Sequence, residues 1–359
     1  MGDNVIEKYL VDENATIGDV AAMINREKTG FALIVNLAGK LVGTVTDGDL
    51  RRAYLGSRDL GSSISTIMCT RPVTVSVGTS QAVVTEVANR HRIRQIPVVD
   101  SEGCPISVTS IDTGVASLPG GFHTAVVMAG GEGQRLRPYT ENIPKPMLPV
   151  NGRPILEHIL NGLVAAGVKR VFLSVNYKAD DIVDYFGDGD RFGVAIEYLR
   201  ETEKLGTAGS LCLLPTLPED PILVMNGDVV TGMNFASFYA VHRKHRGVMT
   251  VATTEYKVNV PFGTLEIAGQ FLLSVVEKPA VSLQCNAGIY ALDPEALQYI
   301  PAGQRYDMTT LMQDLMQNGL PVSVFPVYEQ WVDIGSPEDL AKATGEAPPT
   351  RVRDRGGVL

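Results

Sequence analysis

Cysteine is scarce in this chain, tryptophan nearly absent, and basic charge is outweighed by acidic. The four cysteines among 359 residues, Cys69, Cys104, Cys212 and Cys285, lie far apart and form no C-x-x-C pair. That excludes a disulfide scaffold and a cysteine zinc site, and leaves them as small buried hydrophobes of a reducing compartment. Lysine and arginine number 31 against 40 aspartates and glutamates, a formal net charge of -9. No general basic surface is available to a nucleic-acid backbone, so any positive charge that matters is local. No apolar run approaches the roughly 18 residues of a membrane span. The polar, acidic opening MGDNVIEKYLVDENAT is no signal peptide. The expectation is a cytoplasmic protein that binds neither membrane nor nucleic acid. Two familiar phosphate motifs are missing as well. The chain has no G-x-x-x-x-G-K-[ST], and Leu136 stands where a G-x-G-x-x-G fingerprint needs its last glycine. His242 and His245 are three apart but have no cysteine–carboxylate set beside them, so they are not read as a zinc pair.

What is present is a globular composition, 45% hydrophobic and 20% charged, in a length that suits two domains. The chain before Ser117 contains one unit twice. FALIVNLAGKLVGTVTDGDL (Phe31 to Leu50) has two apolar runs joined by a glycine turn and ends in Thr46-Asp47-Gly48-Asp49. RQIPVVDSEGCPISVTSID (Arg94 to Asp112) has the same shape and ends in Thr109-Ser110-Ile111-Asp112. Each follows a helical stretch, with Ile17, Val20, Ala21 and Ile24 on one face of the first and Ala82, Val83, Val87 and Ala88 on one face of the second. Two such copies can bury each other's apolar faces.

These residues resemble a pair of CBS motifs, the Bateman module. The resemblance implies an α+β tandem repeat over residues 1–117, in which a T-x-x-D hydroxyl and carboxylate hold the phosphate and ribose of a nucleotide effector. The corresponding residues are Thr46 and Asp49 in the first copy and Thr109 and Asp112 in the second. Ser107 stands where the first copy has Gly43, which counts against a second ligand site. The resemblance also implies a homo-oligomer, a dimer or larger, because such pairs dock on one another. A module that only packs, without ligand, is the alternative.

SLPGGF (Ser117 to Phe122) places a linker at residues 118–121. Beyond it the rhythm is strand, loop, helix. TAVVM (Thr124 to Met128) is a buried-strand run. Pro154 suits the first position of a helix in which Ile155, Leu156, Ile159, Leu160, Leu163 and Val164 share a face, and Gly167 ends it. RVFLSVN, a helix around Asp180 to Phe186, VAIEYLR and ILVMNGD follow. The alternation predicts an α/β fold over residues 122–345, with a Rossmann-like, mixed, mostly parallel sheet and helices on both faces. Ligands of such sheets lie beyond the carboxyl ends of the strands. Residues 346–359, rich in proline, glycine and arginine, are expected to be a loose tail.

The loop after TAVVM reads Ala129-Gly130-Gly131-Glu132-Gly133-Gln134-Arg135-Leu136-Arg137-Pro138. Its glycines let backbone N–H groups converge on an anion. Arg135 adds a planar fork and Lys145 a point charge, which together suit a polyphosphate. With these residues the chain resembles the sugar-1-phosphate nucleotidyltransferases: GGEGQRLRPYT, KPMLPV and RPILEHIL are followed in order by LGTAG (Leu205 to Gly209), NGD (Asn226 to Asp228), EKP (Glu277 to Pro279), NAGIY (Asn286 to Tyr290) and WVDIG (Trp331 to Gly335).

The resemblance implies a GT-A-like domain that joins a nucleoside triphosphate to a sugar 1-phosphate and releases pyrophosphate. It makes Arg135, Lys145 and Asp228 catalytic. Nucleotide binding falls to Ala129, Gly130, Gly131, Gly133, Gln134 and Arg135, with Leu205, Gly206, Thr207 and Gly209 along the base and ribose. Gly263, Glu277, Lys278 and Asn286 take the sugar phosphate, and Asp228 with Asp333 holds Mg²⁺, a cation satisfied by one or two carboxylates plus phosphate oxygens. Thr207 also reads as a helix N-cap. Two departures stand out. PFGTLE around Gly263 is an imperfect match, and Gln134 replaces the small hydroxyl residue of many members, which puts its nucleotide contact in doubt. Tandem CBS motifs ahead of such a domain, with VNY (Val175 to Tyr177) and YDMTTLMQDLMQNG (Tyr306 to Gly319), resemble guanylyltransferases, including glucosamine-1-phosphate guanylyltransferases. GTP is therefore the expected nucleotide, with UTP, dTTP or CTP as alternatives and an amino-sugar, mannose or heptose phosphate as acceptor. A catalytically silent, nucleotide-sensing CBS protein is the alternative from another class.

Overall fold

A computed structural model describes residues 6–27, 29–56, 58–91, 93, 95–110, 121–245 and 247–344. Asp112, the linker at 118–120 and the tail at 346–359 lie outside them. The chain forms two compact units that do not follow chain order: the first gathers the chain before Gly121 with Glu255–Gln284, and the second holds the rest.

The first unit repeats one small sheet. Leu10–Asp12, Phe31–Val35 and Leu41–Thr46 lie in that order, parallel then antiparallel. Val75–Ser76, Gln95–Val99 and Pro105–Ser110 do the same. The two copies even share an irregularity, a register shift between Ile34 and Val35 and between Val98 and Val99. Helix Ile17–Glu27 buries Ile17, Val20, Ala21 and Ile24 as the periodicity predicts. Helix Gln81–His91 differs: Val84 and Ala88 are buried while Val83 is exposed. The i, i+4 pair faces the Ile96 strand, and Val83 projects from another part of the helix surface. Ser107 for Gly43 also finds its reason. A Cβ on Gly43 would lie 2.7 Å from Met68 Sδ, because Thr44 bridges to Cys69 there. Ser107, its counterpart opposite Val98, is exposed.

Glu255–Gln284 contributes a hairpin, Thr264–Ala268 against Phe271–Val276. Leu265 pairs with Val275 and Ile267 with Leu272, while Glu266 pairs with Ser274, whose hydroxyl donates to the Glu266 carboxylate at 2.9 Å. The Tyr54 hydroxyl, at the end of helix Asp47–Leu55, accepts the Glu255 N–H at 2.9 Å.

The second unit is built on a seven-stranded sheet in the order Ala195–Arg200, Arg170–Val175, Thr124–Met128, Ile222–Asn226, Ala280–Leu292, Met249–Asn259, Val322–Pro326. The first four strands are mutually parallel, Ile222–Asn226 runs antiparallel to Ala280–Leu292, and Met249–Asn259 is parallel to Val322–Pro326. Thr124–Met128 buries Ala125, Val126 and Val127 completely, which is why it reads as an unbroken apolar run rather than an alternating one. Helix Ile155–Ala165 lays Ile155, Leu156, Ile159, Leu160 and Leu163 into the core. Pro154 stands one residue earlier than a first helical position, in extended conformation, and Gly167 follows the helix with φ of 91°. No helix among the described residues is long and apolar enough to cross a membrane.

Candidate active site

The carboxyl ends of the parallel strands converge on a cleft of about 490 Å³. Its floor is the glycine loop. Ala129 is buried and donates its N–H to Ser174 O at 2.8 Å, continuing the sheet by one bond. Gly131 faces open space, whereas a Cβ on Gly130 would press on Asn176 and on Glu201 Oε1 at 3.1 Å. Gly133 has φ of 63°, and a Cβ there would lie 2.9 Å from Thr140 Cγ2 and 3.0 Å from Lys145 Cβ. Its left-handed backbone turns the chain into the short helix Gln134–Leu136, with Leu136 buried as the anchor and Arg135 set outward.

Four charged groups meet beside this loop. Lys145, only 8% exposed, forms an ion pair with Asp228 Oδ2. Asp228 follows Gly227, whose N–H donates to Met128 O at 2.9 Å; a Cβ at Gly227 would sit 2.6 Å from that oxygen. The glycine is what lets the NGD turn close onto the end of the central strand. Asp333 ends the strand Trp331–Asp333, which pairs with Val229–Thr231 so that Asp333 lies opposite Val229, and Ile334 N–H donates to Asp228 O at 3.0 Å. The two aspartates are thereby locked as neighbours by backbone pairing. A Cβ on Gly335 would be 3.6 Å from Arg135 Nη2 and 3.6 Å from both Asp333 oxygens, so Arg135 and Asp333 flank the same small residue. Burial, and then the Asp228 charge, push the Asp333 carboxyl above the ordinary carboxylate range, while Lys145 and Arg135 pull it back.

Asp228 Oδ1 and Asp333 Oδ1 are buried without a hydrogen-bond partner. Two adjacent carboxylates, each with an unmatched oxygen, are a donor set that fits Mg²⁺, which completes its shell with phosphate and water oxygens. Among the described residues no group of three or more His, Cys, Asp or Glu could hold an ion. His242 is buried in helix Phe235–His245 and shares a 2.8 Å hydrogen bond with Thr250 Oγ1.

The LGTAG segment forms the opposite wall, and its glycines have a reason the sequence did not show. Cβ atoms on Gly206 and Gly209 would lie 2.6 Å from Asp307 Oδ1 and 2.8 Å from Gln304 O. Ala208 and Gly209 donate N–H to Tyr306 O, both at 2.9 Å, and Tyr306 N–H returns to Leu205 O at 2.8 Å. The N-cap reading of Thr207 needs correction. It sits inside the one-turn helix Gly206–Gly209, and its hydroxyl accepts Met308 N–H at 2.9 Å. It thus serves the start of the helix Met308–Gln317 instead.

Of the predicted site residues, the structure unites Arg135, Lys145, Asp228 and Asp333, and lines the cleft with Gly130, Gly131, Gly133, Gln134, Gly206, Thr207 and Asp228. Ala129, Leu205 and Gly209 are buried behind those walls. Gly263 and Glu277 belong to the first unit and meet each other, since a Cβ on Gly263 would be 2.9 Å from Glu277 Oε2; Lys278 follows with φ of 46°. Asn286 is exposed, donates to Tyr290 Oη at 2.8 Å and accepts Gly288 N–H at 2.9 Å. The cleft also contains residues to which sequence reasoning gave no individual role: Asn176, Glu201, Asn226, Arg305 and Asp307. Asn176, Glu201 and Asn226 stand at or just past the ends of three parallel strands, where the strand-end rule could have found them. Asp307 lies in the YDMTTLMQDLMQNG phrase, and nothing local marks Arg305.

In the first unit, Thr46, Asp49, Arg71 and Gln95 line a second cavity of about 380 Å³. Thr46 and Asp49 form a capping box: Asp49 Oδ2 accepts Thr46 N–H at 2.8 Å and Oγ1–H at 2.6 Å, and Asp49 N–H returns to Thr46 Oγ1 at 3.3 Å. The T-x-x-D spacing thus has a structural use beside any ligand. Thr109 lies in the strand Pro105–Ser110, opposite Ile96, and does not line that cavity.

Comparison with known proteins agrees with this geometry. The family model "Nucleotidyl transferase" matches residues 124–348, and the CBS domain model matches residues 1–56 and 64–112. A UTP–glucose-1-phosphate uridylyltransferase of Synechocystis is 33% identical over 61% of this chain and 62% of its own length. A mannose-1-phosphate guanylyltransferase of Mycobacterium tuberculosis is 33% identical over 65% of this chain and 68% of its own. The match spans less than two thirds of the Synechocystis protein. The crystal structure of HddC from Yersinia pseudotuberculosis aligns with a TM-score of 0.50 at 28% identity, covering 62% of this chain and 99% of that one. With its family match covering most of the chain and the glycine loop seated at the strand ends, the chain belongs to the nucleotidyl transferase family and carries a pair of CBS domains ahead of that domain.

Proposed function

We propose that the chain is a sugar-1-phosphate nucleotidyltransferase that forms a GDP-sugar. A phosphate oxygen of the sugar 1-phosphate attacks the α-phosphorus of the nucleotide; a P–O bond forms there, the α–β bridging P–O bond breaks, and pyrophosphate leaves. The attacking phosphate carries about -1.5 to -2 charge at neutral pH and needs no general base. It needs placement and relief from repulsion. The observation that carries the reading is the cluster of Arg135, Lys145, Asp228 and Asp333 beside a glycine loop. The Gly130–Gly133 backbone cradles the triphosphate and Arg135 lies over it. Lys145, held by Asp228, is aimed at the α-phosphate, where charge crowds as the bond forms. Asp228 and Asp333 would hold Mg²⁺, which supplies neutralisation of the phosphate oxygens when bound. Glu277, Lys278, Gly263 and Asn286 serve the sugar phosphate.

GTP is favoured because several relatives are named mannose-1-phosphate guanylyltransferases; one is named a UTP–glucose-1-phosphate uridylyltransferase, which keeps UTP as the alternative. The sugar is an amino sugar, mannose or heptose phosphate. The CBS pair, within residues 1–117, binds a nucleotide at Thr46 and Asp49 that tunes the transferase domain of residues 122–345, in a cytoplasmic homo-oligomer. The test is pyrophosphate release with Mg²⁺, crossing four nucleoside triphosphates with a panel of sugar 1-phosphates. Release with one pair, lost in Arg135→Ala and on chelation of Mg²⁺, is the expected result. Silence across the panel with retained nucleotide binding in the N-terminal half favours a sensor instead.

A further inference from the structure

One feature of the cleft runs against its proposed use. Glu132 puts a carboxylate in the middle of the glycine loop, where a polyphosphate is to lie. Both its oxygens are engaged. Oε1 forms an ion pair with Lys204 Nζ at 2.5 Å, and Oε2 accepts the side-chain amide of Gln134 at 2.8 Å. Lys204 belongs to the opposite wall, directly before Leu205. The three side chains therefore connect the two walls of the cleft. Gln134, which replaces the expected small hydroxyl residue, has its amide committed to Glu132 rather than to a nucleotide. Lys204 and Gln134 together hold the Glu132 carboxyl below the ordinary carboxylate range.

We propose that Gln134, Glu132 and Lys204 form a cross-cleft strap in which Glu132 competes with the incoming triphosphate for Lys204, so that this trio sets nucleotide affinity. The inference rests on the nucleotidyltransferase reading only for the identity of the anion. A triphosphate offers Lys204 several negative oxygens against the single carboxylate of Glu132, so the ammonium exchanges partners when the anion binds. The Lys204 side chain is 65% exposed, so its stem can swing without disturbing the core. What remains is Glu132 held by Gln134, a fixed negative charge that opposes the anion.

The strap predicts opposite signs for its two ends. Glu132→Gln removes the competitor and the repulsion, and frees Lys204. Lys204→Met removes the cation and leaves Glu132 unpaired. The experiment is isothermal titration of the full chain with inorganic tripolyphosphate and, separately, with GTP and UTP, alongside pyrophosphate release. Glu132→Gln is expected to tighten tripolyphosphate three- to tenfold and lower the nucleotide KM in parallel. Lys204→Met is expected to weaken both by a similar factor. Thermal unfolding of both variants checks that each is folded. A brace with no electrostatic role would weaken binding in both variants alike, and that result overturns the proposal, as does unchanged or absent tripolyphosphate binding. Opposite shifts with tripolyphosphate but no pyrophosphate release from any substrate pair would leave the strap standing and sink the transferase reading instead.

Discussion

Replacing Lys145 with methionine tests the electrostatic core of the site. Its side chain is 11% exposed and that of Asp228 24%, so solvent screens their pairing little. Removing one partner of a buried pair costs about 3–5 kcal/mol, because the other charge is stranded. Methionine preserves most of the apolar stem, so a cavity adds little. Arg135 still faces Asp333, which argues for the lower end, about 3 kcal/mol at pH 7.5. In a unit of this size that is roughly 6–12 °C in Tm. The loss should depend on pH with a definite sign. Asp333 already lies above the ordinary range, and Lys145 is one of the charges restraining it. Without Lys145 its folded-state pKa rises further. A carboxyl raised in the folded state costs nothing below its unfolded value, about 3.9, and the cost grows as pH climbs through the folded value. Lys145→Met should therefore approach wild-type stability near pH 4.5 and fall well below it at pH 7.5. Trp331 is the only tryptophan and donates its indole N–H to Ala287 O at 2.9 Å, so its fluorescence reports unfolding of the second unit. Equal destabilisation at both pH values, or none, would refute the account.

Asp333→Asn should have the opposite effect on the free protein: a higher Tm at pH 7.5, little change near pH 4, and loss of pyrophosphate release. Gly227→Ala forces a Cβ to within 2.6 Å of Met128 O, so the NGD turn must withdraw; expected are about 2–4 kcal/mol of lost stability and activity down at least tenfold, measured by thermal unfolding and pyrophosphate release. Asp49→Ala breaks the capping box at a cost of about 1 kcal/mol. If the CBS pair tunes the enzyme, kinetics measured across a range of adenine and guanine mononucleotides should lose any response in this variant; an unchanged response would dismiss Asp49 as the effector contact.

Much of the second unit is legible in the sequence because its signals are local. Unbroken apolar runs mark strands buried on both faces, and the Ile155–Leu163 face marks its helix. Arg135, Lys145, Asp228 and Asp333 could be named one by one, yet their meeting depends on the pairing of Val229–Thr231 with Trp331–Asp333, a contact across some hundred residues that no spacing announces. The same holds for the Tyr306–Asp307 crossing that demands glycine at 206 and 209. Gln134 reads only as a departure at a nucleotide contact and Glu132 as a loop residue without a role, because their pairing depends on a lysine on the facing wall.

The discontinuous first unit has a consequence during synthesis. Its last segment, Glu255–Gln284, leaves the ribosome only after most of the transferase sheet has been made. At roughly 5–20 residues per second, the CBS repeat waits on the order of ten seconds or more for its missing piece. Four strands of the second unit, Thr124–Met128, Arg170–Val175, Ala195–Arg200 and Ile222–Asn226, emerge in that interval, and they are neighbours in the finished sheet. The CBS repeat, begun before the sheet, still closes before it, because the second unit waits in turn for Val322–Pro326 and Trp331–Asp333, and a chain arrested before Glu255 would leave Tyr54 without its Glu255 partner.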